Sequence, residues 1–159
     1  MTRLYGRAAP GQRVTDSVPR NYGKQTSVIS CLGLGGAQAT MTVEGTVDTL
    51  VFNVYAEQVL GPTLQAGDIL ILDNLSAHRA SVIEEVAASR GARVLWLPAY
   101  SPDYSPIEQM WSKIKAALRA AKARTREQLE RALAEALCLV SEADIRGWFR
   151  HCGYEVASI

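Results

Sequence analysis

Two carboxylates lie in this sequence where a strand and a helix could present them to a common ligand. Asp73 follows the apolar run Ile69–Leu72, and Glu108 starts a segment with helical periodicity after 34 intervening residues. A run that is apolar on both faces predicts a central strand, and open α/β sheets carry functional groups just beyond the carboxyl ends of such strands. Carboxylate oxygens are ligands that Mg²⁺ prefers. The pair therefore predicts a divalent-metal site.

Each carboxylate also has a purely structural interpretation. Asp73 and Asn74 could form an Asx-type turn at the end of the strand. The residues Ser105-Pro106-Ile107-Glu108 have the pattern of a capping box with proline at the first helical position, in which Glu108 would accept from the Ser105 backbone N–H. Such a cap is worth about 1 kcal/mol and requires no function. Both alternatives stay open at the level of the sequence.

The segment after Glu108 carries a row of cations. Lys115, Arg119 and Lys122 come 7, 11 and 14 positions after Glu108, so a continuous helix would place all four on one narrow face. The apolar residues of the segment form a neighbouring stripe that must face the core: Ile107, Met110, Trp111, Ile114 and Leu118. A carboxylate at the head of a basic face suits a site that holds a metal ion and leads a phosphate backbone away from it. A solvated helix face is the commoner cause of such a row.

Three more side chains near the two carboxylates could contact nucleic acid. His78 follows Asp73 on the next predicted helix, where a histidine is more often a surface or cap-adjacent residue than a functional one. Tyr100 and Tyr104 lie in the proline-rich loop before Glu108, where they flank the predicted site and could stack on bases. Packing within the loop would explain both tyrosines equally well.

Composition is that of one globular domain. The chain has 159 residues, of which 48% are hydrophobic, and its formal net charge is +1. The longest aliphatic runs are about four residues, too short to span a membrane, and the first residues lack the apolar core of a secretory signal. Three cysteines without metal-type spacing and only two histidines argue against structural zinc. We expect a single domain over residues 1–159, located in the cytoplasm.

Periodicity predicts an α/β framework that positions these residues. The expected order is a hairpin, a helix ended or kinked by Pro62, a strand–helix–strand unit and three helices. The predicted ranges are 26–34 and 39–43 for the hairpin, 46–64 for the first helix, 69–72 and 93–97 for the two strands, 76–90 for the helix between them, and 106–122, 126–138 and 142–151 for the last helices. Thr125 to Gln128 has the pattern of a capping box. Such an order predicts a single α/β domain with a mixed sheet.

Taken together, the motifs resemble those of a known family. Residues 72–78 (LDNLSAH), 97–102 (LPAYSP) and 106–108 (PIE) resemble the DDE transposases of bacterial insertion sequences in the mariner superfamily. In that family D-N-x-x-x-H closes one strand, and L-P-P-Y-S-P-x-x-N-P-I-E leads into the last catalytic helix. The spacing between the two carboxylates also matches, and residues 3–13 resemble the segment that follows the first catalytic strand. Ala99 for proline and Ser105 for asparagine are small departures, since Ser and Asn both cap helices.

The resemblance implies a ribonuclease H-like fold and two-metal phosphoryl transfer on DNA. By position, Asp73 and Glu108 would be the second and third metal ligands. Two Mg²⁺ or Mn²⁺ ions would activate water or a DNA 3′-hydroxyl and stabilise the departing oxygen. The implied partners are transposon ends and target DNA, and a homodimer is possible in such a family.

One departure from the family bears on activity. The family's first catalytic aspartate ends a central strand just upstream of the segment matched by residues 3–13, and a helix-turn-helix region reads the transposon ends. Neither is found in this sequence, and Asp16 and Asp48 match no family motif. We therefore expect an N-terminally truncated catalytic domain that is inactive alone, with unpaired backbone groups beside the missing first central strand. A second chain, or the product of a second reading frame, would supply that strand.

Two other classes of function were weighed against this hypothesis. A non-catalytic DNA- or protein-binding remnant of a transposase would use the 108–122 face without any metal chemistry. A phosphoacceptor domain of the response-regulator kind would use Asp73 as the acceptor. That chemistry requires a lysine at a later strand end and an acidic pair at an earlier one, and this sequence has neither.

Overall fold

The hairpin, the strand–helix–strand unit and the three final helices all form in the predicted order. The structure is a computed structural model that describes residues 5–16, 24–73 and 81–156. Its elements are β1 (Thr26–Gly33), β2 (Gly36–Glu44), α1 (Thr49–Tyr55), β3 (Ile69–Leu72), α2 (Ser81–Ser89), β4 (Arg93–Trp96), α3 (Pro106–Ala121), α4 (Arg126–Cys138) and α5 (Glu142–His151).

β1 and β2 form an antiparallel hairpin with one irregularity. Pairing shifts between Ile29 and Cys31, so that Ser30 faces both Ala39 and Thr40 on β2. Ala39 accordingly adopts a left-handed conformation with φ of 48°, which is unusual for a residue other than glycine. The second strand was predicted over 39–43, after a glycine-rich turn, whereas β2 runs from Gly36 to Glu44.

The strands occur in both orientations, as a mixed sheet requires, but they form two sheets. β1 pairs only with β2, antiparallel, and β3 pairs only with β4, parallel, among the residues that the structure describes. The mixed sheet expected from the sequence is therefore divided into two pairs of strands. One edge of β1 and one edge of β3 have no strand partner in the described ranges.

β1 lies between two hydrophobic clusters because its side chains alternate in direction. Ile29 and Cys31 pack against a first cluster built around Phe52, Tyr55, Leu60, Leu70 and Ile83, which β3 and β4 also contact. Val28 and Leu32 pack against a second cluster of Met110, Ile114 and Leu118 from α3 with Ala132, Leu133 and Ala136 from α4. Helices thus cover both faces of β1, and α3 is fixed to the sheet layer through its apolar stripe.

The helix predicted over 46–64 begins later and changes form along its length. Asp48 is its N-cap, since the Asp48 carboxylate accepts from the Val51 N–H at 2.9 Å, and the α-helix starts at Thr49. It continues as a π-helical turn, Ala56–Leu60, and a 3-10 turn, Gly61–Thr63. Pro62 lies in that last turn, where the helix was expected to end.

The last helices follow the prediction closely. The capping box at Thr125 and Gln128 is present, and a second one joins Ser141 to Asp144 at the start of α5. No helix in the described ranges is long and apolar enough to cross a membrane. The start of the helix predicted from Ser76 lies outside the described residues.

Candidate metal and nucleic-acid site

Asp73 and the loop that leads to Glu108 leave from the same edge of the β3–β4 sheet. The parallel ladder ends with the Leu97 N–H donating to the Leu72 carbonyl at 2.8 Å, one residue beyond the strands. Asp73 therefore follows β3 at the carboxyl edge of the sheet, and its side chain is exposed. Asn74 and His78 lie outside the described residues, so the Asx-turn alternative for Asp73 and the nucleic-acid role of His78 remain predictions.

The proline-rich loop holds a defined turn immediately before α3. Pro102–Tyr104 is a 3-10 turn, in which the Tyr104 N–H donates to the Ser101 carbonyl at 3.2 Å and the Ser105 N–H to the Pro102 carbonyl at 2.9 Å. Tyr100 is fully exposed and has a φ of 58°, a region that residues other than glycine rarely occupy. The turn fixes the direction in which α3 starts.

Glu108 does not cap its own helix. Ser105 is the N-cap of α3 but makes no side-chain capping bond, and its N–H is already bound to the Pro102 carbonyl. The capping-box interpretation of Glu108 is therefore wrong, although the same pattern closes a box at Thr125 and at Ser141. The 3-10 turn takes the N–H that Glu108 would have used. The Glu108 side chain is exposed, with no hydrogen bond or ion pair to any described residue.

Lys122 does not belong to the basic face that the sequence predicted. α3 ends at Ala121, and Lys122 is its C-cap in the left-handed conformation, with φ of 49°. Its ammonium group lies 2.6 Å from each carboxylate oxygen of Asp16. A left-handed residue leaves the helical phase, so the spacing of 14 from Glu108 no longer places Lys122 on the same face.

Lys115 and Arg119 are the cations that stay on the Glu108 face of α3. Lys115 is exposed and Arg119 is half-buried, and neither forms an ion pair with a described residue. Because α3 is regular from Pro106 to Ala121, the spacings of 7 and 11 from Glu108 hold. These two cations are free to contact phosphate.

Two other cations near these residues, Lys113 and Arg126, already have acidic partners. Lys113 binds Asp144, and Arg126 binds Glu130 at 2.8 Å and Glu44 at 3.4 Å. The bond from Lys113, followed by the bonds from Ser141, holds the pKa of Asp144 far below its usual range. In the fold Lys113 connects α3 to α5, and Arg126 connects α4 to β2.

The start of α3 is also held by α5, although α5 lies far from the site motifs in sequence. Lys113 contacts Asp144 near the start of α5, the Gln109 side chain lies 3.7 Å from the Cys152 sulfur, and the Tyr154 hydroxyl donates to the Tyr104 carbonyl at 2.6 Å. From Lys113 to Gln109 to Tyr104 the residue numbers fall, while their partners Asp144, Cys152 and Tyr154 rise. The segment that contains α5 therefore runs antiparallel to the one that contains α3. The only signal in the sequence was Gly153, which ends α5 in the left-handed conformation.

The acidic residues do not form a complete metal-ligand set in the described part of the chain. Within residues 5–16, 24–73 and 81–156, no three His, Cys, Asp or Glu side chains come together in a way that could hold an ion. Asp73 and Glu108 are two carboxylates, and Mg²⁺ is often bound by one or two carboxylates together with waters and substrate phosphates. The donor chemistry fits a divalent ion bound together with DNA.

Several solved structures with a similar fold are of Mos1. The Mos1 strand transfer complex superimposes with a TM-score of 0.69 at 20% identity, covering 96% of this chain and 46% of that chain. The catalytic domain of Mos1 mariner transposase gives 0.66 at 18% identity, covering 82% of this chain and 68% of that one. The Mos1 mariner paired-end complex with Mn gives 0.61 at 18% identity, covering 96% and 47%.

These likenesses establish the fold, which is the ribonuclease H-like fold of the Mos1 catalytic domain. The chain spans about half the length of the transposase chains in the DNA complexes. Among curated protein sequences, none is significantly similar to this one. A family model described as "DDE superfamily endonuclease" matches residues 1–130, which include Asp73, Glu108, Lys115 and Arg119. The chain therefore belongs to the DDE superfamily endonucleases.

Proposed function

We propose that this chain is a catalytic domain of a DNA transposase of the bacterial insertion-sequence kind in the mariner superfamily, and that Asp73 and Glu108 bind the divalent metal for phosphoryl transfer on DNA. The observation that supports this most directly is the Glu108 carboxylate. It lies in the first turn of α3, exposed and without a partner among the described residues, and the Ser105 N–H that it would have capped is already bound to the Pro102 carbonyl.

The proposed metal is Mg²⁺ or Mn²⁺, held by Asp73 from the end of β3 and by Glu108 from the start of α3. Both side chains offer hard oxygen ligands; Asp73 directly follows β3 at the carboxyl edge of the sheet, and the loop that leads to Glu108 leaves β4 at the same edge. Bound ions of this kind activate an attacking oxygen and stabilise the departing one. The chain would hold the two carboxylates on β3 and α3, which are both packed against hydrophobic clusters. Their fixed positions would orient the reacting phosphate.

The proposed DNA path starts at Glu108 and follows α3. Lys115 and Arg119 lie about two and three helical turns beyond Glu108, where each could bind one backbone phosphate of the DNA. Transposase–DNA complexes among the similar structures support DNA as the partner. His78 remains a proposed contact of the same DNA, on the strength of its position in the sequence after Asp73.

Mn²⁺ binding tests the metal site directly. Titrating the ¹⁵N-labelled chain with Mn²⁺ is expected to broaden the amide signals near residues 73 and 108 before all others, because paramagnetic relaxation falls steeply with distance. Asp73→Asn and Glu108→Gln are each expected to raise the dissociation constant at least about tenfold, since each removes a charged ligand. A chain in which neither substitution alters Mn²⁺ binding would instead be a non-catalytic DNA- or protein-binding remnant.

Glu135→Gln is the matched control for that titration. Glu135 is an exposed glutamate on α4, outside the proposed site, and its loss should leave Mn²⁺ affinity unchanged. Glu108→Gln should lower the free energy of unfolding by less than about 1 kcal/mol, because Glu108 caps nothing and only its charge in the first turn of α3 is lost. A larger loss of stability in this variant would mean that Glu108 has a structural role, against the proposal.

We further propose that the domain is completed by a strand from another segment or a second chain, which pairs with the open edges of β1 and β3. Both strands pack on the same cluster, and the Tyr55 hydroxyl buried in that cluster has no hydrogen-bond partner. A buried hydroxyl without a partner is costly, so a group from an added strand would remove this cost. The same strand would supply the first carboxylate, as the family resemblance implies.

The chain alone is accordingly expected to bind Mn²⁺ without cleaving DNA. Amide protons on the open edge of β1 should exchange with solvent much faster than those bonded to β2, because only the latter are protected. Native mass spectrometry and cleavage of a radiolabelled duplex measure assembly and activity. Metal-dependent cleavage by a monomer of this chain, abolished in both Asp73→Ala and Glu108→Ala, would contradict the need for a further strand.

A further inference from the structure

The loop before α3 is held by one long-range hydrogen bond. The Tyr154 hydroxyl donates to the carbonyl of Tyr104 at 2.6 Å, across 50 residues of sequence. Tyr104 is the last residue of the 3-10 turn, and Ser105, the N-cap of α3, follows it. Glu108 lies one helical turn further on. The bond therefore acts on the point at which the chain changes from loop to helix.

The end of α5 is built to place Tyr154 there. Gly153 adopts φ of 85°, the left-handed conformation that closes a helix, and the Tyr154 N–H donates back to the Phe149 carbonyl at 2.9 Å. The rings of Phe149 and Tyr154 meet edge to face with centroids 5.8 Å apart. This is a Schellman motif with its hydrophobic contact, which reverses the chain and fixes the tyrosine ring.

A second contact acts on the same turn from within α3. In the orientation that satisfies its amide group, Gln109 donates to the carbonyls of Ser105 at 3.2 Å and Pro106 at 2.9 Å. Its remaining amide atom faces the buried Cys152 sulfur. Because Cys152 directly precedes Gly153, the C-terminal turn of α5 contacts the start of α3 on both sides of Ser105.

We propose that Tyr154 is a positioning residue for Glu108: by holding the Tyr104 carbonyl it sets the direction of the first turn of α3 and thereby the place of the Glu108 carboxylate. The inference rests on the proposed metal site. Tyr154 lies beyond residues 1–130, the part of the chain that the family model matches. Within the loop itself, the backbone bonds from Tyr104 to Ser101 and from Ser105 to Pro102 span only three residues each.

Tyr154→Phe tests the role without removing the ring. The phenylalanine keeps the contact with Phe149 and loses only the hydroxyl. Exchange of the Tyr104, Ser105 and Glu108 amides, which are hydrogen-bonded in the turn, is expected to accelerate about fivefold, while exchange in α4 stays the same. The Mn²⁺ dissociation constant is expected to rise by a similar factor, about fivefold, with the fold intact by circular dichroism.

Tyr100→Phe is the control, because Tyr100 lies in the same loop with a fully exposed hydroxyl. It should change neither the exchange nor the Mn²⁺ affinity. Faster exchange in Tyr154→Phe with unchanged Mn²⁺ affinity, or unchanged exchange, would overturn the positioning role and leave the proposed metal site standing. Absence of Mn²⁺ binding by the unsubstituted chain would overturn both, and is recognised before any Tyr154 variant is made.

Discussion

Ile114→Ala is expected to lower the free energy of unfolding by about 2 to 5 kcal/mol. Ile114 is 1% exposed and lies at the centre of the second cluster, where α3 meets α4 and one face of β1. Alanine would leave a cavity that the surrounding helices can close only in part, and the lost packing adds to the lost burial of apolar surface. Because α3 also carries Glu108, the substitution tests how firmly the site is anchored.

Urea denaturation followed by tryptophan fluorescence measures this loss, since Trp111 and Trp148 both pack against the second cluster. Ile114→Val should cost about 1 kcal/mol and keeps the experiment informative if the alanine variant is largely unfolded. Leu50→Ala is the control, because Leu50 is 72% exposed and its loss should change stability by less than about 0.5 kcal/mol. A cost below about 1 kcal/mol for Ile114→Ala would show that the cluster is not closely packed.

The position of Ile114 is the kind of feature that a sequence can predict. Periodicity depends on local geometry alone, and the apolar stripe of α3 was predicted from spacing and confirmed by burial of Met110, Ile114 and Leu118. The boxes at Thr125 and Ser141 are equally local, because they join residues three apart. The order of strands and helices follows from the same short-range patterns.

Other features of the site were not predictable from residue spacing. The Ser105 pattern is the same kind as the Thr125 pattern, yet the Pro102–Tyr104 turn takes the N–H that Glu108 would have accepted. Lys122 kept the right spacing for the basic face, but its left-handed backbone and its pairing with Asp16, 106 residues away, remove it. Spacing along a helix carries no information about where the helix ends or which acid a cation meets.

The division of the strands into two sheets could not be read from local patterns. β-prone and apolar runs identified β1, β3 and β4, but strand neighbours are chosen by long-range pairing, and the open edges were expected only from the family resemblance, which implied a missing central strand. The Tyr154 hydroxyl bond to Tyr104 is a further long-range contact. In this fold the sequence predicts which residues form the candidate site and which elements carry them. It does not predict the contacts that orient those residues.

Alanine at both Lys115 and Arg119 is expected to weaken binding of duplex DNA about 30-fold at 0.1 M salt. Each cation would neutralise one backbone phosphate, so each single substitution should reduce the slope of log affinity against log salt by about one. Neither side chain forms an ion pair with a described residue; Lys115 is exposed and Arg119 is half-buried. Fluorescence anisotropy of a labelled duplex at several salt concentrations measures both quantities.

Lys122 and Asp16 make the comparison decisive. Lys122→Ala removes the same charge as Lys115→Ala, but its ammonium group is already bound to Asp16, so the salt slope should change by much less than one. Asp16→Ala should instead raise DNA affinity, because it removes the acid that pairs with Lys122 at the end of α3. Arg131→Ala, an exposed cation on α4, controls for net charge. Equal losses from Lys115, Lys122 and Arg131 would mean that DNA responds to total charge, and the path along α3 would then be wrong.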